Sequence, residues 1–338
     1  MTEDASGDVE ELIRGGDLDA LMLEVDRRCG ARDWDGLVHL RDRCLAAIEV
    51  GRQLWGVAQF AEYRLALEGP GPYAAAVCRP DAGRFTLGPL TEVAASTHTW
   101  DELAEHLPTS WAAATVAQER VIRGEDLTGD PRARPEDADL PLVLQEWEPA
   151  YPLPRYRSHD LLEGGPAPLE DVDPVTVDAT GDAESVEMPL LERAVREVTA
   201  TWVEQSNGGS RLAVVRADAH DAVAALLPDG RVAPIAADAA LERLAWAAAS
   251  GGAYGRRRGM AAGRSSAAFV ARAAGALDLD AGADELGTRL AELDWWHIAA
   301  PEGGWRLRLA VADAEGGWAA ALDAWDRELE DEEGPGGI

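Results

Sequence analysis

Apolar residues recur every three to four positions over the first part of the chain, which is the spacing of one face of an α-helix. Leu18, Leu21 and Val25 mark the inner face of one such helix, and Asp33 is a suitable N-cap for the next. A third helix over residues 52–68 stops at the sequence GPGP. Because short helices joined by a few residues pack as antiparallel hairpins, these helices predict an array of the HEAT or tetratricopeptide kind.

The helical pattern is interrupted once and then resumes. The stretch after Cys78 is rich in turn-forming residues and is consistent with a single short strand over residues 84–87. Thr99 and Glu102 have the spacing of a capping box, and a last helix is predicted from Ser110 onwards. We therefore predict one all-α domain over residues 8–124, after a disordered tail over residues 1–7.

After residue 188 the pattern alternates between helical and strand-like stretches. An amphipathic helix over residues 190–205 is followed by three apolar stretches around a Pro-Asp-Gly turn at residues 228–230, which predict an antiparallel meander. The predicted strands are residues 211–217, 221–227 and 231–235, and the predicted helices that follow are residues 239–250, 266–277 and 284–293.

Strict alternation of apolar and charged residues then predicts a β-hairpin. Leu307 and Leu309 point to one side of the predicted strand, whereas Arg306 and Arg308 point to the other. The turn of the hairpin is expected at residues 302–304.

The last apolar stretch, residues 318–330, places its large side chains three to four positions apart and predicts a closing helix. The predicted fold class is therefore α+β, with an all-α array followed by a domain that contains an antiparallel sheet. We place that domain at residues 188–330 and a disordered tail at residues 331–338.

Between the two domains lies an acidic, proline-rich segment over residues 125–187. It contains 17 acidic residues against four arginines, and nine of the 19 prolines of the chain. Such a composition is typical of a linker or an extended arm. Apolar residues cluster in its middle, from Leu140 to Tyr156, so we expect this part to lie across an apolar groove of the chain itself or of a partner.

An arginine-rich and glycine-rich segment provides the strongest indication of a binding site. No Asp or Glu occurs from Arg243 to Leu277, although the net charge of the chain is -31. The segment combines arginine guanidinium groups with flexible glycines, and a helix is expected to start at Ser265-Ser266. Guanidinium groups and the free amides of a helix start favour phosphate, sulfate or carboxylate ligands. The predicted anion-binding residues are Arg256, Arg257, Arg258, Arg264, Ser265 and Ser266. The alternative is that these arginines pair with carboxylates of the chain itself.

The composition restricts the classes of partner. A net charge of -31 disfavours nucleic acid and favours basic proteins. The three cysteines lack metal-binding spacing, so we predict buried thiols, no metal site and no cofactor. No secretory signal or membrane span is recognised in the sequence, which predicts a cytoplasmic protein. All 31 basic residues are arginine, which is consistent with protection from lysine modification, with salt adaptation or with a GC-rich genome.

Two function classes follow from these features. The first is an adaptor or regulatory protein, which binds a protein partner through the helical array or the acidic arm and a small anion at the arginine segment. The alternative is an enzyme acting on a phosphorylated or carboxylated small molecule. For that enzyme, the candidate catalytic residues are Asp218, His220, Asp221 and His297.

Overall fold

The structure, a computed structural model, describes residues 4–80, 82–134, 136, 140–169, 173–179, 182–299 and 304–327. The chain divides into two compact units. Unit 1 comprises Met1–Leu144 and Leu153–Gly164, and unit 2 comprises Gln145–Pro152 and Gly165–Ile338. The segment predicted as a linker or arm is thus shared between the two units.

Unit 1 is helical, as the spacing of apolar residues predicts. Its helices are α1 (Asp4–Gly15), α2 (Leu18–Ala31), α3 (Trp34–Glu49), α4 (Trp55–Glu68), α5 (Gly71–Ala76), α6 (Leu90–Thr97), α7 (Trp100–Leu103) and α8 (Ser110–Ile122). Two short 3-10 helices (Ala104–His106, Pro131–Ala133) and a two-stranded sheet of β1 (Arg155–Tyr156) and β2 (Leu161–Leu162) complete it.

The helix boundaries in unit 1 follow local chemistry. Asp33 accepts a hydrogen bond from the amide of Gly36 at the start of α3, and Thr99 forms the predicted capping box with Glu102. Helix α1 begins at Asp4, inside the segment predicted as a tail, and residues 1–3 and 328–338 lie outside the described residues. No strand forms over residues 84–87, which are a succession of turns.

Helix α4 is the central element of unit 1. Ten of its 14 residues are buried, and they include Gln59, Glu62 and Arg64 as well as apolar residues. A helix that is enclosed on all sides has no solvent-facing side on which to place polar residues, so each of these groups needs a partner inside the protein. Those partners belong to the candidate site described below.

Unit 2 contains one six-stranded antiparallel sheet with the order β3-β5-β6-β7-β8-β4. The strands are β3 (Val175–Thr176), β4 (Gly209–Val215), β5 (Arg231–Ile235), β6 (Asp294–Ile298), β7 (Trp305–Asp313) and β8 (Trp318–Asp326). The helices are α9 (Pro189–Glu204), α10 (Ala219–Leu226), α11 (Ala237–Ala249), α12 (Met260–Ala274) and α13 (Ala283–Glu292). The predicted α+β class with an antiparallel sheet is confirmed, as is the hairpin of β6 and β7.

The two faces of the sheet carry different helices. On one face, Leu309 and Leu322 pack with Leu191 of α9, Leu244 of α11 and Val270 of α12. On the other face, α10 packs against a patch of small apolar residues near one end of the strands. Side chains alternate between the two faces along each strand, so the residue after a core residue belongs to the opposite face.

Two predicted elements of unit 2 are wrong. Residues 318–326 form strand β8 instead of a helix, because they pair along their length with both β7 and β4. Residues 219–226 form helix α10 instead of a strand, and Asp218 caps it by accepting a hydrogen bond from the amide of Asp221.

Candidate functional site

The predicted anion-binding segment lies in unit 2, where residues 251–259 connect α11 to α12. Helix α12 begins at Met260, so the prediction that the serine pair starts it is wrong. Gly263 lies within the helix, and close packing of α12 on α11 requires a glycine there, because a Cβ would lie 2.3 Å from the Ala245 carbonyl oxygen. Ser265 and Ser266 therefore lie in the second turn of α12, away from its terminal amides.

Backbone amides of this loop are used by the protein itself. Four of them donate hydrogen bonds to acceptors within unit 2, over distances of 2.6–3.3 Å. A loop whose amides are already bonded cannot direct the same amides at a ligand. The four donors are Ala253, Tyr254, Arg256 and Arg258, and their acceptors are Asp326 Oδ2, Ser206 Oγ, Gln205 Oε1 and the Ala249 carbonyl.

The side chains of the segment meet carboxylates of the same unit. Arg264 is 1% exposed and forms a bidentate pair with Glu148, with Nε–Oε2 and Nη2–Oε1 distances of 2.6 and 2.5 Å. Arg258 Nη2 lies 3.7 Å from Glu197 Oε1, which also accepts a hydrogen bond from Ser266 Oγ at 3.2 Å. These three predicted site residues are thus engaged by Glu148 and Glu197.

The remaining predicted residues lie nearer the surface. Arg256 is exposed, whereas Arg257 and Ser265 are half-buried. Each of these three residues also interacts with other residues of the chain. The structure therefore brings together the six residues in one region but divides them between interior ion pairs and surface positions.

The candidate catalytic histidines lie on opposite faces of the sheet. The ring of His220 packs edge-on against Trp296, at 5.7 Å between centroids. His297 follows Trp296 in β6 and is paired with Leu309, so it belongs to the other face. Burial, reinforced by the charge of Arg243, lowers the pKa of His297. The two imidazoles consequently do not share a cleft.

Unit 1 contains a cavity of about 390 Å³, within the range of sites that bind small molecules or side chains. Helices α2 and α4 form two of its walls, and the loop before α6 and the segment after β1 form the others. Its lining residues are Met22, Gly56, Gln59, Phe60, Tyr63, Phe85, Thr86, Leu87, Ser158 and His159.

The loop over residues 79–88 is held in place by polar side chains of α4. Gln59 Oε1 accepts a hydrogen bond of 2.6 Å from the Phe85 amide. Glu62 accepts one of 3.0 Å from Arg79 Nη2 and one of 3.3 Å from the Gly83 amide. Gly83 has φ +66°, a left-handed conformation that glycine adopts without strain. The loop is therefore ordered by specific hydrogen bonds.

The loop nevertheless presents apolar side chains to solvent. Phe85 is 67% exposed and Leu87 is 39% exposed, and both line the cavity. The guanidinium of Arg84 lies 5.7 Å from the centre of the Phe85 ring. Because hydrogen bonds fix the backbone, the exposed ring is held at the rim of the cavity instead of turning into the core.

The part of the cavity wall formed by residues 158 and 159 is polar and has carboxylates at its edge. His159 Nε2 lies 3.3 Å from Asp26 Oδ1, and its ring lies 5.3 Å from that of Phe60. Ser158 donates a hydrogen bond of 2.9 Å to Glu68. The carboxylates of Asp26 and Glu68 both pair with the buried guanidinium of Arg64. At the base of the cavity, burial raises the pKa of Tyr63 to about 12.

Sequence reasoning missed this cavity, although α4 carried a signal. Gln59 and Glu62 lie three positions apart in a helix that is otherwise mostly apolar on every side. Polar residues at that spacing share one helix face, so they predict a buried polar contact with another segment.

A protein-family model matches residues 19–328, which is most of the chain. This chain belongs to that family. It is described as a family of unknown function, DUF6183, and the match includes both the 79–88 loop and the 251–259 loop. No curated protein and no solved structure matches the chain.

Two further observations concern the described residues of this DUF6183 member. None of the described helices has the length and apolarity that a transmembrane segment needs. Within the same residues, no three His, Cys, Asp or Glu side chains are grouped closely enough to hold a metal ion.

Proposed function

We propose that this protein is a cytoplasmic adaptor or regulatory protein that binds a protein partner at the unit 1 cavity. The observation that carries the proposal is the 79–88 loop, which is fixed by Gln59 and Glu62 and yet exposes Phe85 and Leu87. Ordering a loop costs conformational entropy, and exposing large apolar side chains gains nothing in the free protein. A partner that covers the Phe85 ring buries this apolar surface and so offsets the entropy cost of ordering the loop.

The proposed partner is a peptide segment with an apolar side chain next to a basic one. The cavity is large enough to hold a bulky side chain, and its apolar lining includes Phe85, Leu87, Met22 and Phe60. Asp26 and other carboxylates border it, and the segments of unit 1 contain 29 acidic residues against 16 arginines. An acidic surface attracts a basic partner and accelerates its association.

The described cysteines are consistent with the proposed compartment. Cys29, Cys44 and Cys78 are buried free thiols. Reduced thiols suit the cytoplasm, where disulfides are rare.

The proposal is tested by photo-crosslinking in the native host, with a benzophenone amino acid at position 85. We expect a discrete adduct with one protein, and a peptide from the crosslinked region should bind the purified protein in calorimetry. The same probe at Trp111, an exposed aromatic residue of α8, serves as the positional control and should not capture that protein.

A pair of glycine variants distinguishes the cavity from the surrounding surface. Gly56→Leu places a side chain beside Met22, whose Cε lies 3.6 Å from the position of an added Cβ, and fills the cavity. Gly30→Leu adds the same side chain to a helix at an open position. Peptide binding should be lost in Gly56→Leu and kept in Gly30→Leu. Equal binding by both variants would refute the proposed site.

A further inference from the structure

One face of the sheet in unit 2 carries arginines instead of apolar residues at one end of its strands. Helix α10 packs on one end of this face. At the other end, Arg308 of β7 and Arg211 of β4 both lie opposite Asp323 of β8, while Arg306 lies opposite Trp325. Directly paired residues point to the same side of an antiparallel sheet, so all five side chains share this surface.

Asp323 holds two of the arginines in place. It is 1% exposed, and it accepts hydrogen bonds of 2.5 Å from Arg211 Nη2 and 2.6 Å from Arg308 Nε. Although burial raises the pKa of Asp323, the two guanidinium groups outweigh that effect and keep the pKa below its usual range. A fixed carboxylate therefore orients two guanidinium groups. Arg308 Nη1 also donates a hydrogen bond of 3.3 Å to the Ala299 carbonyl, and the N–H donors beyond these bonds can contact a ligand.

The surface has an excess of positive charge in a strongly acidic chain. Three arginines face one aspartate, whereas the whole chain has a net charge of -31. Arg211 is half exposed and lies 5.6 Å from the centre of the Trp325 ring. Arg306 is half-buried, and no residue that the structure describes forms an ion pair or hydrogen bond with its guanidinium.

We propose that Arg211, Arg306 and Arg308 form an anion-binding site on this face of the sheet, for a small molecule that carries a phosphate or several carboxylates. Guanidinium forks bind both kinds of oxyanion in bidentate fashion. The site differs from the 251–259 loop in its balance of charge. One carboxylate, that of Asp323, orients two of its arginines, and the three arginines outnumber it. It is independent of the cavity proposed for the protein partner.

The test uses the full-length protein labelled with 5-fluorotryptophan, with the fluorine resonance of Trp325 assigned from a Trp325→Phe variant. Inorganic pyrophosphate and citrate are the probes, and they distinguish phosphate from carboxylate ligands. We expect saturable shifts of the Trp325 resonance with one or both anions. In Arg306→Gln the affinity should fall by about tenfold, since one set of charge-assisted hydrogen bonds is lost.

Arg306→Gln is the informative variant because it breaks no described ion pair, so its melting temperature should equal that of the wild type. The matched control is Arg216→Gln, which removes an exposed arginine just beyond β4 that lies 3.7 Å from Glu184. Arg216→Gln should bind as the wild type does. The inference is overturned if neither anion shifts the resonance, or if both variants weaken binding equally.

Discussion

The 79–88 loop of unit 1 and the 251–259 loop of unit 2 are both held by side chains of their own unit, with opposite results. In the 251–259 loop, four backbone amides are bonded to acceptors of unit 2, and nearby Arg264 is buried against Glu148. In the 79–88 loop, the internal bonds fix the backbone and leave Phe85 outside. A high density of charge in the sequence is therefore not sufficient to locate a site. What matters is which groups remain available after the fold has satisfied its own.

The largest expected effect concerns the buried pair near the 251–259 loop. Glu148→Gln removes the charge of Glu148 that pairs with the buried Arg264 guanidinium, which should lower the free energy of unfolding by about 3–5 kcal/mol. Denaturant titration measures the loss. The double variant Glu148→Leu/Arg264→Met removes both charges and should recover most of the stability, whereas a double variant as unstable as the single one would contradict the explanation.

A smaller effect is expected where α4 holds the 79–88 loop. Gln59→Leu removes the Gln59 Oε1 acceptor of the Phe85 amide and should lower the free energy of unfolding by about 1–3 kcal/mol. Hydrogen exchange at the Phe85 amide should accelerate in this variant, while exchange at the Arg258 amide in the other loop should not change. Unchanged protection at Phe85 would mean that Gln59 does not order the loop.

Cys78, which directly precedes the same loop, predicts that the stability of the protein falls at alkaline pH. Burial raises the pKa of Cys78 from 9.0 to about 12, so the unfolded chain loses this proton at a lower pH than the folded protein. The stability that depends on the neutral thiol is therefore complete below pH 9.0 and declines above it, by about 1.4 kcal/mol at pH ~10. Denaturant titrations from pH ~8 to ~10 measure it against Cys78→Ala, which lacks this contribution. A constant difference between the two proteins would exclude Cys78 as its source.

The smallest change in stability is expected at the exposed ring itself. Phe85→Ala removes a side chain that is 67% exposed, so the free energy of unfolding should change by less than about 0.5 kcal/mol. Thermal melting of the variant and the wild type checks this expectation. A large loss would show that Phe85 serves the folding of unit 1, and would remove the reason for assigning it a partner.

Strand β8 illustrates where periodicity stops being informative. The hairpin of β6 and β7 was predictable because Leu307 and Leu309 alternate with arginines. In β8, four alanines and Asp323 fill the positions between Trp318, Leu322 and Trp325, so the spacing of the large apolar residues also fits a helix. Alanine also favours helix intrinsically. Hydrogen-bonded pairing with β7 on one side and β4 on the other stabilises the strand. This pairing cannot be read from the local sequence of β8.

The candidate sites show the same limit for side chains. The acid-free window drew attention to the arginines of unit 2, but Arg264 pairs with Glu148, which lies 116 residues away in the segment predicted as an arm. Gln59 and Glu62 were visible as polar residues in an apolar helix, yet their partners in the 79–88 loop were not. Local patterns identify groups that need partners, whereas the fold determines which partners they find.

The position of β8 between β7 and β4 also affects how unit 2 is made. About 100 residues separate the end of β4 from the start of β8, so a ribosome that adds roughly 5–20 residues per second needs about 5–20 s to supply the missing strand. Until then the edge of β4 that β8 will cover remains open on the nascent chain. An open strand edge is a template for pairing with other chains. Unit 2 is therefore most vulnerable to misassembly during its own synthesis, and least so once its last strand has been inserted.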